Sequence, residues 1–582
     1  MRIACALAIF GIALMCGAAP ARAVEPPDTI LLGGRIVTLD ARESVAEAIA
    51  IQGGRIAAVG TTREIEKLGG PKTEIIRLDG KIVLPGFIES HCHAVGVARD
   101  ALAQTYVELS SIGEVQQWIR RRATEIPAGQ WIEVPRNEIT RFTERRFPTP
   151  AELDAACTTH PVLYTSVANK HVLNSLGFER AGVAAGVEKL GDGEVLRDGD
   201  GRPLLLRGGT AAIRAQIPVR AEPPRDDVLA SLARLLATYN GVGITSIFER
   251  ATDAVGLKHF DELRLAGKLT TRVTGTFRFS ARNAEGVEKF VAGLGWKPGE
   301  GDEWIKAGPL KITVDGGIHW GTTRLSEPYG PRRIAFYRLT DPAYRGELYY
   351  PVEQMQEVFA TAHRLGWQMS CHVTGDDGTA RVLDALEAAA AAAPDVAKRR
   401  FTLIHSYFPD AAILRRCKAL GVCVDTQGYL YYRDADTLAD IYGQTWADRF
   451  IGLGDWVRGG IPVGLNADHM IGFDPDHAMN SFNPFLMLSI AVTRRTKSGH
   501  VHGPHQKLSR LDALRTVTQW PAYMSFDEKN LGSLEPGKLA DLVVIDKDYL
   551  TCPDEQIATL KAVRTIVGGR TVWPPSGTTG KE

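Results

Sequence analysis

From residue 305 onward, short apolar runs alternate with amphipathic segments. "GPLKITVDGG" reads as a strand, and "VEQMQEVFATAHRLG" spaces its apolar residues for a helix closed at Gly366. "WQMSCHVTG" returns to a strand, followed by the helical "TARVLDALEAAAAAA", which stops at Pro394. "RFTLIHSYF", "GVCVDTQ" and "IPVGLNAD" are further strands, with helical stretches such as "AAILRRCKALG" between them. Upstream, "GVGITSIFE" and "TTRVTGTFRF" add two strands and "KIVLPGFIESHCH" a first, making eight candidates. Strands separated by helices predict the α/β class, and eight of them favour a (β/α)8 TIM-like barrel over an open doubly wound sheet.

The two ends of the chain carry a different pattern. "LLGGRIVTL", "IQGGRIAAVG" and "IVGGRTVW" each set two β-rich arms around Gly-Gly, the signature of a tight hairpin. With "EIIRLDGKIVL" and "ADLVVID" they predict one small β-sandwich assembled from residues 24–83 and 531–582. The barrel then occupies residues 84–530 as an insertion. Its first and second strands are separated by a stretch too long for a structureless loop. About residues 100–235 are therefore read as an inserted subdomain over the barrel mouth, a lid.

Composition narrows the function classes. The 582 residues hold 68 Lys+Arg and 68 Asp+Glu, so no global field favours nucleic acid or an anionic membrane. A small-molecule substrate is the expected partner, and a homo-oligomer is left open. Residues 1–23, "MRIACALAIFGIALMCGAAPARA", have the charge, the apolar core and the small-residue site of a signal peptide cut after Ala23. The expectation is a periplasmic or secreted protein with no stable membrane anchor after cleavage. The remaining cysteines form no CxxC pair and suggest no disulfide framework, although Cys417 and Cys423 are near enough in sequence to bridge in an oxidising compartment.

The candidate chemistry lies at the carboxyl ends of the predicted strands, where barrels build active sites. His91 and His93 are two apart on the first strand and share a face. Lys311 lies in the fourth strand, His372 ends the fifth, His405 the sixth and Asp468 the eighth. Taken singly, each has a plain structural reading: a hydrogen-bonded strand histidine, a lysine paired with Asp315, an aspartate capping a helix. Taken together in a barrel lumen, where unpaired polar groups are costly, they read as ligands for one or two divalent metals, Zn²⁺ by softness and number.

The order HxH, Lys, His, His, Asp resembles the amidohydrolase superfamily. More narrowly the chain resembles amidohydrolase family 3, the YtcJ-like branch that includes N-substituted formamide deformylases. The motifs behind this are "LPGFIESHCH", "LKITVDGG…EPYG", "HVTGDDG", "AVTRRT" and "LGSLEPGKLADLVVIDKD". The resemblance implies that Lys311 is N-carboxylated and bridges two metals, with His91, His93 and Asp468 on one and His372 and His405 on the other; a mononuclear centre is the alternative. It implies hydrolysis of a C–N bond in an amide, formamide or carbamate by metal-bound hydroxide, with Asp468 as the catalytic proton shuttle. Ester or lactone hydrolysis, a lyase reaction, or a non-catalytic regulatory role stay open. His171, His319, Trp320, Arg324, Tyr329 and His469 are the candidate substrate contacts. Glu89, Ile404, Lys170 and the "LNADHM" run depart from the branch's usual residues at the corresponding places.

Overall fold

A computed structural model describes residues 25–166 and 170–575; the expected leader, residues 1–23, lies outside the described residues. Eight parallel strands form one sheet: β1 (Phe87–Cys92), β2 (Ile244–Thr252), β3 (Arg272–Arg278), β4 (Ile305–Thr313), β5 (Met369–Val373), β6 (Thr402–His405), β7 (Cys423–Gln427) and β8 (Val463–Asn466). They are hydrogen-bonded in chain order, as successive βα units require. The sheet rolls up into a nearly closed barrel. β8 meets β1 just beyond its own end, where His93 N donates to His469 O at 3.0 Å and His469 N to His91 O at 3.3 Å.

The helices follow the amphipathic segments. Val352–Arg364 ends before Gly366, whose φ of 84° is a left-handed turn that glycine adopts without strain. Asp376–Ala392 ends just before Pro394. The buried aliphatic and aromatic residues of the strands and these helices form one continuous core around the barrel.

The composite sandwich is present, with two differences from the sequence reading. One sheet comes wholly from the amino-terminal part, in the order Arg55–Gly60, Ala48–Gln52, Thr29–Leu32, Glu74–Arg77. In the other, Leu542–Ile545 lies between Ala562–Val567 and Ile82–Pro85, joining the two ends of the chain. Leu31, Ile49, Val83, Leu542 and Ile566 share the core between the sheets. The first difference is that "KIVLPGFIESHCH" is not one strand: Ile82–Pro85 belongs to the sandwich and β1 to the barrel, separated at Gly86, where a Cβ would collide with Thr245 Oγ1 at 2.3 Å. The second concerns the Gly-Gly pairs. Two are hairpin turns with both glycines at positive φ, Gly53 and Gly54 at 56° and 76°, Gly568 and Gly569 at 55° and 74°. The third, Gly33-Gly34, is a crossover, because Thr29–Leu32 and Arg35–Val37 enter different sheets.

The insert is a subdomain with its own six-stranded sheet, running from Lys189–Leu190 at one edge to Ile132–Glu133 at the other. Buried clusters line it, one around Val115, Ile119 and Tyr164, another around Leu163, Phe178 and Leu206. It ends sooner than residue 235: helix Arg225–Gly241 packs on helix Ala94–Ala103 of the barrel, with Ser231 Oγ donating to Ala98 O at 2.8 Å. All six cysteines among the described residues are free, Cys417 and Cys423 included, and both of these are buried. Among the described residues no helix is long and apolar enough to cross a membrane.

Candidate metal centre

His91 lies in β1 and His93 directly after it; Lys311, His372 and His405 lie in β4, β5 and β6, and Asp468 two residues past β8. The structure brings their donor atoms to the carboxyl end of the barrel. Asp468 Oδ1 is 3.3 Å from His91 Nε2 and 3.4 Å from His93 Nε2. One donor atom from each of these three residues lies within 4.8 Å of the other two. Lys311 Nζ is 3.4 Å from His91 Nε2, so the lysine faces this triad. The rings of His372 and His405 stack edge to face at 4.4 Å, and the His405 ring is 5.6 Å from that of His91. Lys311 makes no bond to Asp315, whose carboxylate instead accepts from Thr374 N, Gly375 N and Arg324 N and ties the loops after β4 and β5 together.

The surroundings set the state of each donor. His372 Nε2 lies 3.1 Å from Gly316 O and so carries the proton, which leaves Nδ1 with a lone pair. His405 Nδ1 lies 2.6 Å from Gln427 Oε1, which leaves Nε2 as the free acceptor. Such an outer partner is how a ligating imidazole is fixed in tautomer and orientation. Burial pushes His405 down to about 4 and holds His91 and His372 well below the ordinary histidine range, reinforced by Lys311 beside them, so all three are neutral near pH 7. Burial also pushes Lys311 down to about 8, against the pull of Asp468. Burial opposes ionisation of Asp468, but hydrogen bonding to the adjoining histidines, His93 Nε2 at 3.4 Å among them, outweighs it and holds the carboxyl well below its usual range. Neutral imidazoles, one ionised carboxylate and a lysine easily made neutral form a donor set that fits a divalent metal.

A buried polar network supports this layer. Arg250 Nη2 donates to Asp425 Oδ2 at 2.7 Å, and Asp425 Oδ1 accepts from Ser90 Oγ and from Asn466 Nδ2. Asn466 Oδ1 accepts in turn from Gln427 Nε2 at 3.0 Å and from Asp468 N at 3.1 Å. The Arg250–Asp425 ion pair thus reaches His405 through Gln427 and Asp468 through Asn466. Glu89 folds back on its own strand to accept from His91 N, and also from Ala467 N; burial raises its carboxyl to about 8. The backbone is strained at the same level, with φ of 80° at His405 and 50° at Asp468. Gln427, Asn466, Asp425 and Arg250 were not singled out from the sequence. Asp425 and Gln427 left a trace as polar residues of the run "GVCVDTQ", and Asn466 as part of "LNADHM".

The candidate substrate contacts are engaged by other groups of the protein. His171 lies in the insert sheet with both ring nitrogens engaged, by Thr165 Oγ1 and Thr210 Oγ1. His469 is fully buried between Tyr239 OH and Gly472 O. Tyr329 is buried and donates to Thr323 O, and Arg324 pairs with Asp377 at 2.7 Å. These four hold loops and strands together. Trp320 Nε1 donates to Glu138 Oε2 of the insert, whereas His319 binds Asp434 of helix Gly428–Tyr442, the carboxylate that also holds Thr140 and Arg141 of the insert.

Set beside known proteins, the chain belongs to the amidohydrolase family, whose model matches residues 74–573. It is 26% identical over 557 residues to an N-substituted formamide deformylase of Arthrobacter pascens, covering 93% of this chain and 97% of that one. It is 24% identical over 554 residues to YtcJ of Bacillus subtilis, covering 94% and 99%. Among solved structures, a metal-dependent hydrolase of Pyrococcus horikoshii superposes with a TM-score of 0.65 at 21% identity, covering 90% of this chain and 99% of that one. That likeness establishes the fold.

The contact between His405 and Gln427 generates a prediction. Gln427→Leu keeps the volume but removes the acceptor that fixes the His405 tautomer. Metal affinity, measured by competition with a chromogenic chelator, is expected to fall about 10–100-fold while the chain stays folded. Unchanged affinity would remove Gln427 from the account.

Proposed function

We propose that this chain is a metal-dependent hydrolase that cleaves a non-peptide C–N bond of a small molecule, in an amide, formamide or carbamate. The observation that carries this reading is the cluster of His91, His93 and Asp468, faced by Lys311, at the carboxyl end of the barrel. Family membership and the formamide deformylase relative support the C–N bond class.

Zn²⁺ suits the nitrogen and carboxylate donors. His91, His93 and Asp468 would hold one ion, and His372 and His405 a second through their free nitrogens, with a carboxylated Lys311 between. Bound there, the metal supplies Lewis acidity toward a carbonyl oxygen and lowers the pKa of water from about 15.7 to about 7. The rest falls to the chain. Asp468, held ionised, accepts the proton of the attacking water and returns it to the leaving nitrogen, which otherwise departs as a poor amide anion. Asn466 fixes the backbone of Asp468 on one side, so the carboxylate does not have to reorganise during the transfer. Lys311 is buried with its amine pushed toward neutrality, and a neutral amine is the form that adds CO₂ to give a carbamate. The insert reaches the loop after β4 through Trp320 and Glu138, where it would limit the access of water to the substrate.

The reading is tested by a screen of amides, formamides and carbamates with the purified protein, followed by Asp468→Asn. The variant is expected to stay folded and to lose about 10²–10⁴-fold in kcat on whichever substrate is found. Near-wild-type turnover would exclude Asp468 as the proton carrier.

Lys311→Ala separates a bridging carbamate from a plain lysine. It is expected to bind fewer metal ions per chain than the wild type and to lose nearly all activity. Formate at high concentration is expected to restore part of both, by offering two oxygens in the vacated volume. Full metal occupancy in Lys311→Ala, with no response to formate, would contradict the bridge.

A further inference from the structure

Asp468 is held from a second side by a path that begins in the insert. Arg141 ends the short turn Ile139–Arg141, and its side chain is 7% exposed where it meets the wholly buried Asp434 of helix Gly428–Tyr442. Its Nε lies 3.2 Å from Asp434 Oδ1 and its Nη2 3.1 Å from Oδ2, a two-point grip on the carboxylate. The same guanidinium reaches the loop that follows β8: Nη1 donates to Met479 O at 2.7 Å and Nη2 to Asn480 Oδ1 at 3.2 Å. Asn480 Nδ2 then donates to Asp468 O at 2.9 Å.

The polarity of this path is self-consistent. A guanidinium can only donate, so the oxygen of the Asn480 amide must face Arg141. The amide nitrogen is thereby turned toward a backbone carbonyl, which can only accept. Asp468 sits at a φ of 50°, outside the comfortable range for a residue with a side chain, and its peptide groups are held on both sides, by Asn466 at N and Asn480 at O.

We infer that Arg141 and Asn480 are positioning residues for Asp468, so that docking of the insert on the barrel sets the carboxylate of the metal centre. The inference rests on the proposed role of Asp468. A lysine at position 141 does not substitute, because one ammonium cannot span Asp434 and both loop acceptors. The opposing view is that Arg141 merely fastens the insert. Thr437 offers the discriminating control, since its Oγ1 donates to Thr140 O at 2.8 Å, across the same interface but off the path to Asp468.

The experiment is hydrogen–deuterium exchange of the purified full-length protein, as wild type and as Asn480→Leu, Arg141→Met, Arg141→Lys and Thr437→Val. Metal content is measured in each sample. Asn480→Leu is expected to speed exchange over residues 466–482 about 10-fold or more, with no change at 305–313 in β4 or at 193–207 in the insert. The two Arg141 variants are expected to loosen both 466–482 and the turn at 139–141. Thr437→Val is expected to loosen 139–141 alone. With a substrate in hand, Asn480→Leu is expected to lower kcat with KM little changed. Wild-type exchange at 466–482 in Asn480→Leu overturns the inference, as does equal loosening of that loop by Thr437→Val. The exchange readout needs no turnover, so absence of hydrolysis would count against the proposed reaction and leave this inference standing on its own result.

Discussion

His91 and Asp468 are far apart in the chain and become neighbours only because β8 closes on β1. Two backbone hydrogen bonds form that joint, His93 N to His469 O and His469 N to His91 O. The joint fixes the spacing of the nitrogen and oxygen donors on either side of it, and the triad of His91, His93 and Asp468 sits directly on it. His469, an ionisable side chain in sequence terms, is spent here on structure, buried between Tyr239 and Gly472. The strands between β1 and β8 then bring Lys311, His372 and His405 to the same level.

Collecting so many polar groups in a barrel lumen is costly unless each has a partner. The structure meets much of that demand with a second layer beneath the donors, while His91 Nδ1 is buried without a hydrogen-bond partner. The Arg250–Asp425 pair is removed from water almost completely, at 1% and 0% side-chain exposure, and is tolerable because further bonds from Ser90 and Asn466 satisfy the carboxylate. Gln427 and Asn466 pass the constraint upward to His405 and Asp468. Above the donors, the insert is clamped by Asp434, which accepts from Thr140, Arg141 and His319 together. Two buried ionic nodes, Arg250–Asp425 and Arg141–Asp434, are thus tied by hydrogen bonds to residues of the centre.

Much of this was legible in the chain. The eight strand runs and the helices between them carry strong periodicity, and Gly366 and Pro394 mark helix ends by their own conformational limits. The six metal-site candidates were readable because histidine, lysine and aspartate are rare choices at the ends of apolar strands. Less legible was anything decided by long-range pairing. Gly33-Gly34 has the same local pattern as the two true hairpins, and only the partners of its flanking strands make it a crossover. Gln427, Asn466 and Asn480 are ordinary amides in sequence, and their roles exist only through contacts to residues distant in the chain. The candidate substrate contacts are ambiguous in sequence for a related reason: a histidine or arginine near a motif is equally suited to holding a loop, and His171 and Arg324 have such partners.

The most direct measurement is a crystal structure of the protein grown with Zn²⁺, with anomalous difference maps collected on both sides of the zinc absorption edge. An anomalous peak is expected about 2.0–2.2 Å from His91 Nε2, His93 Nε2 and a carboxylate oxygen of Asp468. A well-ordered lumen with no peak among these three residues, at saturating metal, would contradict the proposed centre.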